Sequence, residues 1–187
     1  MSLWWQSLSP LWKSAFNLTV LVKDESYVPS QTELKEILSL KVLRIVGPKG
    51  VHPNFDYHLE DLTGLKELKE LEILVVTYHK IKKLDGIRES KNLRTLFIHD
   101  NEIEDLSPLK DLKLLNELYC HSNMIATLKP LRALSRLRVL FCSNNQISDF
   151  NGISEKHSEL KSVTAMPNEK IGPKQIRELE DLNIFCK

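Results

Sequence analysis

The side chains with the most chemical potential recur 22 residues apart. His99 and His121 form one such pair and Cys120 and Cys142 another, while Phe97, Tyr119 and Phe141 carry the interval through three positions. Two imidazoles side by side are the start of a metal site, but a metal takes three or four protein ligands, and spacing shows no third in the matching column. The two thiols suggest a redox pair. Lying between Ile98 and Ala165 in their own column, they read instead as small core residues, reduced and inert. No glycine-rich phosphate loop and no nucleophile elbow occurs, and Glu104, Asp105 and Asp111 are isolated carboxylates in polar turns. No catalytic residue, metal or cofactor is expected, and no enzymatic activity.

The elements that hold these residues follow from the interval. Segments starting at Leu71, Leu93, Leu115 and Leu137 read LEILVVTYHKI, LRTLFIHDNEI, LNELYCHSNMI and LRVLFCSNNQI. Each fits L-x-x-L-x-L-x-x-N-x-I, with His79 standing for asparagine in the first. The register continues to Leu160 with Val163, Ala165 and Asn168, and back to Leu40 with Leu43 and Ile45. A weaker unit at Leu18, with Leu21 and Val28, has Lys23 where an apolar residue belongs. About seven strand positions result. In a strand, alternate residues face opposite sides, so Leu96 and Ile98 point inward and their counterparts in successive coils stack into apolar columns. The asparagine column (Asn101, Asn123, Asn145, Asn168) falls where each coil turns away from the sheet, and a side-chain amide there can satisfy both donors and acceptors left inside. One coil cannot bury its own apolar side, so stability comes from stacking on neighbours.

Between strands a three-residue beat takes over, as in Leu106, Leu109 and Leu112, followed by Leu128, Leu131 and Leu134. That spacing predicts 3₁₀ or short helical turns, helped by Pro108 and Pro130. Over roughly residues 8–171 the pattern resembles the 22-residue bacterial class of leucine-rich repeats, as in internalins, and the related SDS22-like class. The resemblance implies an α/β, single-domain, right-handed solenoid: a curved parallel sheet on the concave side and short helical turns on the convex side. It names no partner, because the fold serves many binding functions.

Residues 1–17 are expected to cap the N-terminal end, with Trp4, Trp5 and Trp12 plugging the open core or, alternatively, docking on a partner or another domain, and residues 18–171 to form the solenoid. Residues 172–187 are expected to close the other end with a helix after Pro173 and a last strand within 183–186. The interval from Leu40 to Leu71 is nine residues longer than the rest, and its Gly- and Pro-containing stretch 47–58 reads as a loop leaning over the rim. Such a loop is equally a binding element or a tolerated insertion.

Outward strand positions would line the concave face. One column runs Val75, Phe97, Tyr119 and Phe141; the next runs Val46, Thr77, His99, His121 and Ser143; the preceding one includes Ile73, Glu117 and Val139. With strands about 4.8 Å apart, the three aromatics form a continuous stripe, and exposed aromatic patches mark interaction sites. The expected function is a non-catalytic protein–protein interaction module binding through Val75, Phe97, His99, Glu117, Tyr119, His121, Val139, Phe141 and Ser143. The alternative is a structural or regulatory domain that self-associates, as a homodimer for instance, or packs on another domain or subunit.

Lys plus Arg number 26 against 25 Asp plus Glu, so no global field favours nucleic acid or an anionic membrane. Basic residues cluster locally at Lys80, Lys82 and Lys83, and along Arg132, Arg136 and Arg138, but without aromatic platforms beside them. No apolar run approaches the ~18 residues of a membrane span, and residues 1–11 lack the basic start and apolar core of a signal peptide. Three cysteines make no disulfide framework. A protein partner and a cytoplasmic location are expected, with neither nucleic-acid binding nor membrane insertion.

Overall fold

The computed structural model describes residues 3–187. Three helices come first: α1 (Leu3–Ser7), α2 (Pro10–Phe16) and α3 (Gln31–Leu38). Seven strands follow, β1 (Val42–Val46), β2 (Ile73–Thr77), β3 (Thr95–Phe97), β4 (Glu117–Tyr119), β5 (Val139–Phe141), β6 (Ser162–Thr164) and β7 (Phe185–Cys186), with α4 (Pro173–Glu180) before the last. They form one parallel sheet in sequence order. The register is the repeat itself: Leu43, Leu74, Leu96, Leu118, Leu140 and Val163 are consecutive partners. The return legs are 3₁₀ turns at Thr63–Leu65, Asp85–Ile87, Ser107–Leu109 and Lys129–Ala133. This is the open solenoid that the repeat predicts. Its leucines and isoleucines join in one continuous core from Trp5 to Ile184.

The asparagine column behaves as its chemistry requires. Asn123 Oδ1 accepts from Ile103 N at 2.9 Å, and its Nδ2 donates to Ile98 O in the preceding coil at 3.0 Å. Asn101 and Asn145 repeat both bonds one coil earlier and one coil later. His79 does the same with a ring: Nδ1 accepts from Leu59 N and Nε2 faces Ile45 O, each at 3.2 Å. The carbonyl it reaches lies 34 positions back, whereas Asn101 reaches 25 back, a difference of nine. The inserted residues are thereby located between Ile45 and Leu59.

That insertion folds back on β1. Asn54 Oδ1 accepts from Val46 N and its Nδ2 donates to Arg44 O, both at 2.7 Å, so one side chain imitates a neighbouring strand. Arg44 Nη2 donates to His52 O at 2.6 Å, and Phe55 is buried in the core. An open strand edge invites pairing with other chains, and the loop occupies this one. It also covers Val46, and Val46 and Thr77 are buried instead of lining the outward column that alternation predicts.

The weak first strand expected at Leu18 is not formed. Residues Asn17–Leu21 are a π-helical turn continuing α2, and Val22 ends it in the left-handed region at φ 54°. Ser9 caps α2, Pro10 sits in its first turn, and Thr19 Oγ1 donates back to Ala15 O, so helix propagates through the segment. Asn17 is buried and donates to Glu25 O and Tyr27 O, holding the following chain. The segment therefore adds no rung to the sheet, and the seventh strand is supplied by β7 at the other end. Trp5, Trp12 and Phe16 pack against the first coil, with Trp12 and Phe16 ring centroids 5.5 Å apart. Gly64 makes this possible, since a Cβ there would lie 2.1 Å from the Trp12 ring.

Candidate protein-interaction face

Phe97, Tyr119 and Phe141 end β3, β4 and β5 in mutual register. Their rings stack in series, Phe97 on Tyr119 at 4.2 Å and 7°, and Tyr119 on Phe141 at 5.2 Å and 28°. Phe141 is 37% exposed, while Phe97 and Tyr119 are half-buried between neighbours. Val75, Glu117 and Val139 adjoin the stripe, all partly exposed. Tyr119 Oη reaches Glu117 at 3.5 Å, and burial, then the Glu117 charge, pushes the phenol above its ordinary value. Exposed apolar side chains also lie at both ends of the sheet, Val42 at 53% and Phe185 at 70% exposure. Phe185 pairs with Ser162 and so continues the column of Glu117 and Val139. It escaped the sequence reading because β7 carries too little of the repeat to fix its facing.

His99 and His121 follow the stripe by two residues and also stack, centroids 4.3 Å apart and 10° from parallel. Ser143 occupies the next rung, partly exposed. Asp100, between the two histidines, is the group that spacing did not reveal. Its positive φ of 54° is matched by Tyr78 at 61°, Ser122 at 54° and Asn144 at 51°, the residues at the same position in neighbouring coils. In that left-handed position the Asp100 carboxylate lies beside the imidazoles, 2.7 Å from His99 Nδ1 and 4.0 Å from His121 Nε2. Burial, then His99, pulls the His121 pKa below its ordinary value. Asp100 also borders an open cavity of about 350 Å³ whose other walls include Lys49, His58, Tyr78 and Ser122.

Cys120 and Cys142 are free and fully buried. Burial pushes the Cys120 thiol up to about 12 and raises that of Cys142 as well, which removes the thiolate that redox chemistry needs. No helix among the described residues is long and apolar enough to cross a membrane.

The family described as Leucine Rich repeats (2 copies) matches residues 91–133 and 113–155. Among solved structures, an internalin (InlF) from Listeria monocytogenes is 26% identical with a TM-score of 0.71, over 87% of this chain and 45% of that one. Internalin C2 from the same organism is 25% identical with a TM-score of 0.61, over 74% and 57%. A leucine-rich-repeat protein of Leptospira interrogans is 20% identical with a TM-score of 0.57, over 86% and 51%, a likeness of fold. The chain thus spans about half the length of the structures it matches. No curated protein sequence matches it. The repeat, the sheet and these likenesses agree that the chain carries leucine-rich repeats and is similar in fold to the bacterial internalins.

Proposed function

We propose that this chain is a non-catalytic module that binds a protein partner on the concave face of its sheet, around Phe97, Tyr119 and Phe141. The fold is one that proteins use for extended binding surfaces. The observation that carries the reading is the unbroken stack of three rings on a rigid sheet, partly open to solvent. Pre-stacked rings lose little conformational freedom on docking, and aromatic anchors dominate interface energies. Glu117 and the histidine pair would add polar contacts beside the apolar centre.

The test is affinity capture from source-cell extract with the wild type and with the combined Phe97→Ser, Tyr119→Ser, Phe141→Ser variant, verified as folded by circular dichroism. A protein retained by wild type alone supports the reading; a partner held equally by both places binding elsewhere. The exposed apolar side chains Val42, Ile73, Phe141 and Phe185 on this sheet favour a second reading in which it meets another copy of the chain. Sedimentation over a hundredfold concentration range separates the two, since a monomer throughout removes the self-association.

A further inference from the structure

We propose that His99, Asp100 and His121 form a binding site for one divalent transition-metal ion, zinc by preference, held between consecutive coils. Their ligand atoms all lie within 4.8 Å of one another. Donors around a tetrahedral zinc at about 2.0–2.1 Å stand about 3.3 Å apart. The observed 2.7 Å and 4.0 Å from Asp100 Oδ2 to the two rings straddle that separation, and turning the two imidazoles out of their parallel stack brings both nitrogens and the carboxylate onto one ion.

The cluster is held in place by the solenoid. His99 and His121 occupy equivalent positions in adjacent coils, and their stacking holds the two rings side by side. The Tyr78 ring packs edge-on against His99, centroids 5.5 Å apart. Asp100 N donates to His121 O at 3.1 Å, so the residue bearing the carboxylate is pinned to the coil that supplies the second imidazole. His121 also has coordination capacity to spare. Its Nδ1 is buried without a hydrogen-bond partner, and its Nε2 faces Asp100 at 4.0 Å, beyond hydrogen-bonding reach.

Two imidazoles and one carboxylate suit zinc, and imidazole separates this set from surface carboxylates that take calcium or magnesium. Three protein ligands leave a fourth position for water or another donor. The side chains are 19% to 32% exposed, and Asp100 borders the open cavity, which provides an entry path. A bound ion would clip the coil of β3 to that of β4 and place positive charge beside the aromatic stripe.

Isothermal titration of the whole chain with zinc chloride, in metal-free buffer at neutral pH, tests this directly. One equivalent should bind, and His99→Gln, Asp100→Asn and His121→Gln should each weaken binding at least about tenfold. His52→Gln, in the inserted loop, should leave it unchanged. Because a variant could lose its fold, histidine ring resonances of the wild type would be followed by NMR during the same titration. Shifts confined to His99 and His121 support the site. The proposal fails if the wild type shows no saturable binding, if His99→Gln and His121→Gln bind as wild type does, or if the shifts fall on other histidines. It does not depend on the protein-binding reading, so titration and affinity capture can fail independently.

Discussion

His79 stands in a column of asparagines and is buried with both ring nitrogens engaged. Nδ1 accepts the Leu59 amide proton, which leaves Nε2–H to donate to Ile45 O: only the neutral ring makes both bonds. Burial, the largest influence, pulls its pKa from 6.5 down to about 4. The folded state therefore resists protonation that the unfolded chain accepts, and this stability is complete above pH 6.5 and lost as pH falls towards 4. By linkage about 3 kcal/mol disappears across that window. His79→Asn should keep the bonding pattern of the other coils and flatten the stability-versus-pH curve between those limits, as read by urea unfolding at a series of pH values. An unchanged slope would mean that another group carries the acid sensitivity. The repeat makes the substitution visible, since a histidine sits where asparagine recurs, but the acceptor role of Nδ1 follows only from the fold that brings Leu59 N to it. Asp100 is the opposite case: no counterpart recurs at its place in the repeat, and only its left-handed φ aims the carboxylate at the imidazoles.

At the level of elements, the return legs and strands β1 to β6 were legible because each is enforced by an apolar column that tolerates one register. The segment at Leu18 was misread for a physical reason. Leu18 and Leu21 satisfy a helical spacing as well as the repeat, and the capped helix before them decides between the two. The inserted loop was recognisable from Gly and Pro, but its attachment was not, because an asparagine amide imitating a β ladder leaves no periodic mark. Asn54→Ala removes both of its bonds to β1 and strands the Val46 amide, at a cost of about 1–3 kcal/mol. Hydrogen exchange should quicken over residues 46–56 and stay unchanged around β4 and β5. Exchange that rose evenly along the chain would show the loop to be part of the global unfolding unit instead of a local latch.

For the whole molecule the question is whether the helical N-terminal end and the repeats unfold together. Repeat arrays are stabilised between nearest neighbours, so their ends can fray separately. Against that, the core is continuous: Trp12 and Phe16 belong to the same apolar cluster as the leucines of the central coils. Trp12 is also tied to the first return leg by its Nε1 donating to Asp61 Oδ1 at 3.4 Å and by its contact with Gly64. The chain provides its own reporter, because all three tryptophans, Trp4, Trp5 and Trp12, lie in this end. Tryptophan fluorescence therefore follows the cap, whereas far-ultraviolet circular dichroism follows the whole chain. In the wild type the two denaturation curves should coincide. Trp12→Ala opens a cavity between cap and first coil and should cost about 3–5 kcal/mol, with fluorescence from Trp4 and Trp5 now falling before the dichroism. Separate transitions already in the wild type would mean that the aromatic plug shields the first coil without governing the stability of the others.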